Sequence, residues 1–179
     1  MQTLNVTLTG LSPIMFDAFR GQEELPPEKK LYLAPDKTTL ILPASNIVGF
    51  LTSRSSHSCL RVFTSNKDWR TRGPEVIGNV AVDPVNIKFL NDEEPVTFSN
   101  EWNEKIYIDE RMARPSDTAR VIARRPVLDL PWLLKFRLLI NPTEFVTVER
   151  IKDWFVRGGI SVGIGAYRPM FGRFEADFS

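Results

Sequence analysis

The sequence predicts an α+β domain in which strands and helices alternate as βαββαβ. Three observations lead there. Segments of apolar–polar alternation, such as Leu4, Val6 and Leu8 against Asn5, Thr7 and Thr9, read as half-buried strands. Two segments, opening near Ser45 and Thr147, instead space their apolar residues by three and four, as helices do. Thirteen prolines scattered over 179 residues interrupt the chain too often for a helical bundle. A chain of this length reads as one domain, residues 1–179, large enough to bury a real core.

Residues 3–10 form the first strand, which Gly10 and Pro13 end or bend. Residues 16–30 are polar and carry Pro26-Pro27, so they read as a loop. Residues 31–33 and 38–42 are short strand candidates around a turn at 34–37. Pro43, Ala44 and Ser45 then open a helix with Ser45 as its N-cap candidate, and Ile47, Val48 and Leu51 follow helical spacing, with Ser55 as a further candidate. Residues 79–90 read as a strand bent at Pro84, 91–94 as an acidic turn and 96–98 as a short strand. Residues 106–108 lead into 110–125, a protruding hairpin with Met112 and Pro115 at its bend. Residues 126–131 read as a turn, and the most apolar run, 132–140, as the central strand. Residues 147–157 are the second helix, with Val148, Ile151, Trp154 and Phe155 on one face. A glycine-rich loop at 158–174 and an alternating final strand close the order. With the hairpin treated as an insertion at about 105–125, what is left is a ferredoxin-like or RRM-like core.

The bulk numbers exclude more than they assign. Net charge is +1, so any nucleic-acid argument rests on where charge sits. One cysteine, Cys59, excludes an internal disulfide and a cysteine metal cluster. The single histidine, His57, removes most zinc and histidine-pair chemistry. Asp17, Asp36 and Asp83 are scattered without paired spacing, so neither metal nor cofactor is expected. With no signal-peptide pattern and no apolar run of bilayer length, the expected place is the cytoplasm, away from membranes.

Charge is locally concentrated. Between Ser45 and Arg72 the basic residues are Arg54, Arg61, Lys67, Arg70 and Arg72, against the single acid Asp68. Ser53, Ser55, Ser56 and Ser58 add hydroxyls, and Trp69 adds a ring able to stack on a base. The same pattern also suits a solvated helix face followed by a loop. From Asp83 to Glu104 six acids face one lysine, a side turned away from phosphate or toward a basic surface on a neighbouring copy. The hairpin carries Arg111, Arg114, Arg120, Arg124 and Arg125 against two acids; arginine forks grip phosphates in pairs of bonds and stack on bases. Its alternative reading is a surface hairpin whose arginines pair with nearby acids. In the last loop Gly158, Gly159, Gly163, Gly165 and Gly172 accompany Arg168 and Arg173. Such density suits positive φ and amides offered to phosphate, while Gly158-Gly159 alone also suits a helix C-cap.

Three stretches carry a family resemblance. The first strand ending in Gly10-Leu11-Ser12-Pro13, the helix opening LILPASNIVGFLTSR at 40–54 and the segment GIGAYRPMFGRF at 163–174 together resemble the RAMP superfamily, the ferredoxin-like RNA-binding subunits of CRISPR effector complexes. In that family a strand runs into an I-P-x-S-S-x-x-G motif and a helix with a basic residue. Leu42, Pro43, Ala44 and Ser45 with Gly49 and Arg54 match it, while Gly163, Gly165, Arg168 and Gly172 match its glycine-rich RNA-contacting loop. The hairpin occupies the place of the family's thumb. The chain is shorter than typical backbone subunits and also looks like a compact phage-encoded relative.

The resemblance implies a non-catalytic RNA-binding protein whose copies oligomerise helically along a guide-type RNA for RNA-guided recognition. Ser45, Asn46, Arg54 and Arg61 at the first helix, with Gly163, Gly165, Arg168 and Arg173 on the loop, would grip phosphates. Arg111, Met112, Arg114, Arg120 and Arg124 on the hairpin would bend the strand and contact the next copy. Backbone contacts read no sequence, so specificity would come from base pairing. Three alternatives remain. One is a metal-independent endoribonuclease using His57 as general base, with Ser58, Arg54 or Arg61 stabilising the phosphorane. Another is a single-stranded-DNA-binding or annealing protein. The last is a decoy of a CRISPR subunit.

Overall fold

β1 (Gln2–Gly10) keeps its alternation, with Leu4, Val6 and Leu8 buried and Asn5, Thr7 and Thr9 on the opposite face. β2 (Ile14–Met15) is buried at both residues. The computed structural model describes residues 1–18, 25–54, 57–113 and 121–179. Within the stretch expected as a loop lies a four-residue helix, α1 (Pro27–Lys30), with proline at its first position, where a missing amide leaves no bond unmade.

β3 (Ile41–Pro43) runs directly into α2 (Ala44–Thr52). The expected cap is displaced by two residues. Pro43 takes the N-cap position without a side-chain bond, and Ser45 is exposed inside the first turn. The Val85 carbonyl instead accepts from the Ala44 amide at 2.8 Å. Ser55 and Ser56 lie outside the described residues. Three short helices follow that the apolar periodicity does not reveal: α3 (Cys59–Phe63), α4 (Asn66–Thr71) and α5 (Gly73–Asn79). The Ser58 and Ser65 hydroxyls start the first two by accepting the amides of Arg61 and Asp68.

β4 (Val80–Asp83) and β5 (Asn86–Asn91) are the strand expected to bend at Pro84. The acidic turn, where Asp92 and Glu93 have positive φ, leads into β6 (Glu94–Pro95). The hairpin is β7 (Ile106–Ala113) on β8 (Val121–Leu128), in register from Ile106 opposite Leu128 to Ala113 opposite Val121. Pro126 to Leu128, expected in a turn, therefore belong to β8. β9 (Leu133–Ile140), α6 (Val148–Ser161) and β10 (Phe174–Phe178) complete the chain.

Thr147 caps α6, its hydroxyl accepting the Arg150 amide at 3.1 Å. Gly158 and Gly159 are neither loop nor cap, because α6 runs through them to Ser161. Their missing side chains admit neighbours instead. A Cβ on Gly159 would lie 2.2 Å from the Phe174 carbonyl oxygen, and one on Gly158 would lie 2.6 Å from the Cys59 sulfur. Tertiary contact here overrides glycine's poor helix propensity.

The chain is mixed α+β with antiparallel sheets. The larger sheet is ordered β10-β1-β9-β5-β3, with β4 also on β9 and β6 on β5, so the most apolar strand is central as expected. α2 and α6 meet over one face, where Phe50 lies 5.1 Å from Phe155 and 5.4 Å from Phe174 between ring centroids. The other face carries Asn5, Thr7, Lys135, Arg137, Glu175 and Asp177. The smaller sheet is β2-β8-β7. Trp132 locks the two sheets together. Its indole fills the space beside Gly10, where a Cβ would come within 2.3 Å, and its Nε1 donates to the Ser12 carbonyl at 2.9 Å.

Candidate nucleic-acid interface

Register gives the hairpin two faces. Tyr107, Asp109 and Arg111 share one with Val127, Arg125 and Ala123; Glu110 and Met112 share the other with Arg124 and Ile122. On the first face Tyr107 and Val127 pack with Met15, Ala166 and Phe171. Arg111 grips both oxygens of Asp109 at 2.5 and 2.7 Å, and its guanidinium lies 4.9 Å from the Tyr167 ring centre and 4.8 Å from that of Phe171. Arg125 donates to Asp17 at 2.7 Å, while its Nη1 is buried without a hydrogen bond among the described residues. On the second face Arg124 pairs with Glu110 at 2.7 Å, and Met112 and Ile122 stand 61% and 66% exposed, an apolar pair open to solvent. Each hairpin arginine that is described thus has its own carboxylate. Arg114, Arg120 and the bend expected at Pro115 lie outside the described residues.

Across the first face runs the glycine loop. Gly163, Gly165 and Gly172 have φ of +70°, +80° and +73°, as the sequence predicts. The purpose is close packing. A Cβ on Gly172 would sit 1.8 Å from the Ile164 carbonyl oxygen, and one on Gly165 would sit 2.7 Å from that of Met15. Several loop amides have partners within the fold: Gly163 donates to Gly158, Ala166 to Met15 and Gly172 to Pro13, at 2.9, 2.8 and 2.8 Å. The loop is therefore laid onto β2 and the end of α6. Arg168 is half-buried and donates to the Gly163 carbonyl at 3.4 Å, at the negative end of α6; burial pushes its pKa below the usual arginine value. Arg173 is exposed, and its amide is held by the Ser12 hydroxyl at 3.0 Å.

Loop, β2 and the start of α2 border a niche of about 80 Å³ lined by Met15, Asp17, Tyr32, Asn46, Gly165 and Ala166, among others. That is well below the roughly 300–1,000 Å³ of a small-molecule site, so it suits part of a larger ligand. Asn46, Gly165 and, through Tyr167 and Phe171, Arg111 are thus brought to one region. Ser45 is next to Asn46 at the surface.

Arg54 and Arg61 belong to a different place, the corner formed by α3 and α4. Arg54 donates to the Arg70 carbonyl at 3.1 Å. The guanidiniums of Arg61 and Arg70 lie 5.2 and 5.4 Å from the Trp69 ring centre. Trp69 packs partly on the core, and its Nε1 donates to Asn66 at 3.3 Å. Both carboxylates of the corner are occupied. Asp68 takes the Ser65 hydroxyl at 2.8 Å and faces Arg72 at 3.6 Å; Glu75 accepts from Thr143 at 2.6 Å and Arg72 at 2.8 Å. Those bonds hold the Glu75 carboxyl below its ordinary range, the Thr143 hydroxyl contributing most. Among the described residues, no carboxylate lies within ion-pair distance of Arg54, Arg61, Lys67 or Arg70. In the sequence Lys67, Trp69 and Arg70 stand out as a basic stretch with a stacking ring, but not as one site with Arg54 and Arg61. Ser65-x-x-Asp68, a capping pair, is the signal that starts a helix at Asn66 and puts Lys67 and Arg70 three residues apart on one face.

His57 is exposed between α2 and α3. Cys59 is buried, and burial pushes its thiol well above the usual value, so it stays protonated and donates to the Trp154 carbonyl at 3.4 Å, a packing role. No described helix is long and apolar enough to cross a membrane. Compared with known proteins, the chain matches no family model and no curated sequence.

Proposed function

We propose that this chain is a non-catalytic RNA-binding protein whose copies assemble along a guide-type RNA. The observation that carries the reading is convergence. The start of α2 and the glycine loop, far apart in sequence, border one niche at Asn46 and Gly165, and Arg111 of the hairpin rests on Tyr167 and Phe171 of that same loop. The exposed pair Met112 and Ile122 lies on the hairpin's opposite face, an apolar surface suited to bases or to a neighbouring copy.

The strand order β10-β1-β9-β5, with α2 and α6 over one face, supports a ferredoxin-like core. The RRM variant of that core stacks bases on aromatic side chains of its open sheet face. Here that face carries Lys135 and Arg137, paired with Glu93 and Asp83, and no aromatic from β1, β9 or β10. The reading therefore places RNA along the loop, hairpin and helices rather than across the sheet.

Gel filtration with light scattering tests it, using purified protein, nuclease-treated protein and added single-stranded RNA of graded length. The expected result is salt-sensitive binding and a copy number that rises with RNA length. Protein that stays monomeric and shows no salt-sensitive RNA binding overturns the proposal. Competition with single-stranded DNA of the same sequence then tells whether 2′-hydroxyl contacts matter.

A further inference from the structure

We propose that the α3–α4 corner is a second, separate contact for single-stranded RNA, where one base stacks on Trp69 and Arg54, Arg61 and Arg70 hold the flanking phosphates. This inference rests on the RNA-binding reading but uses none of the residues at the niche. Three features of the corner point to a polyanion with a flat ring. Its cations are uncompensated among the described residues, because Asp68 and Glu75 are turned to Arg72, Ser65 and Thr143. Its aromatic ring is held at a set angle by core packing on one side and the Asn66 bond at its edge. Two guanidiniums rest over that ring, neither of them paired with a described carboxylate.

The resting stack is a natural precursor of the bound state. An arginine held only by a ring face and water can swing to a phosphate, where its paired bonds are stronger, and the face it leaves can take a base. Arg72 does not take part. It links α4 to α5 through Asp68 and Glu75, and Glu75 is fixed to Thr143 ahead of α6, so the platform keeps its shape as the strand arrives. An acidic protein segment would satisfy the same cations but has no need of the indole, which is how the test separates the two.

The probe is a fluorescein-labelled single-stranded oligoadenosine, with inorganic polyphosphate as a baseless control. Binding is followed by anisotropy and by tryptophan fluorescence, and folding of each variant is checked by circular dichroism. The expected results are quenching by oligoadenosine but not by polyphosphate, and loss of that quenching in Trp69→Phe with most of the affinity kept. Trp69→Ala should weaken binding by about tenfold or more. The double variant Arg61→Gln/Arg70→Gln is confined to surface positions that the fold can spare. It should lower the slope of log affinity against log salt by about 1.4, roughly 0.7 for each phosphate no longer held. Wild-type affinity and salt slope in both corner variants, with binding abolished in Arg111→Ala or Asn46→Ala, overturn this inference and leave the RNA-binding reading standing. Equal quenching by polyphosphate overturns base stacking. Absence of RNA binding by the wild-type protein removes both proposals.

Discussion

The hairpin and the α3–α4 corner are the two arginine-rich regions of the molecule, and they treat their charge in opposite ways. Arg111, Arg124 and Arg125 on the hairpin are matched to Asp109, Glu110 and Asp17. Arg54, Arg61 and Arg70 at the corner lean on a carbonyl or an indole, and the nearby acids serve Arg72. A guanidinium already gripping a carboxylate has to give up that bond before it takes a phosphate, whereas one resting at the surface on a half-buried ring surrenders only about 0.5–1 kcal/mol. Counting arginines ranks the hairpin first. Counting their partners ranks the corner first.

The sharpest break of the comparison is at the hairpin's support. Gly172→Ala puts a methyl group into the Ile164 carbonyl at positive φ and should cost about 3 kcal/mol or more. In a chain of this length that lowers Tm by roughly 6–12 °C, read by thermal unfolding. Gly49→Ala, in mid-helix with open space where its Cβ would lie, should instead raise stability by about 0.5–1 kcal/mol. Equal effects at the two glycines would deny that the loop closes tightly on itself between Ile164 and Gly172. Next in size comes a crossed pair of arginine variants. Arg111→Ala removes a two-bond carboxylate pair and two ring contacts, and should destabilise by about 1–2 kcal/mol in urea unfolding. Arg61→Ala should stay within about 0.5 kcal/mol of wild type. If the two stability changes come out alike, the distinction between carboxylate-paired and ring-resting arginines fails. The smallest expected effect concerns acid. Glu75 titrates below its ordinary 4.5 in the folded chain, so its contribution is full above that value and is lost as the pH falls further, because the unfolded chain takes up the proton first. Glu75→Gln should flatten the stability–pH curve below about pH 4.5, and an unchanged curve would show that neither Thr143 nor Arg72 holds the folded carboxylate.

Where the fold was legible, a local pattern agreed with the tertiary structure. Leu4, Val6 and Leu8 alternate because one face of β1 lies under the helices, and the bend at Pro84 follows from a residue that can neither donate nor continue the ladder. Where it was not, a distant neighbour decided. Gly158 and Gly159 look like helix breakers until Phe174 and Cys59 are seen to need the space, and Cys59 is remote in sequence. Ser45 looks like a cap, but β3 delivers the chain so directly that Pro43 holds the position and Val85 takes the first amide. α3 and α4 are too short to show a period, so only their serine caps announce them. The candidate contacts divide along the same line. Gly165 and Arg111 stood out by composition and Asn46 through the family resemblance, whereas Trp69 and Arg70, legible as a ring in a basic stretch, become a unit only once two helices shorter than two turns are placed.

Ile106 and Leu128 face each other where the hairpin leaves and rejoins the body of the protein. Tyr107, Val127 and Arg125 are still tied to the body, but what lies beyond Met112 and Ile122 closes a loop whose ends the ladder already holds, and the entropy of such a loop grows only slowly with its length. That outer part of the arm is therefore an exchangeable cassette. It can be trimmed, extended or replaced over evolution, or in the laboratory, without rewiring the sheet beneath, so selection can retune what the tip touches while the scaffold stays constant.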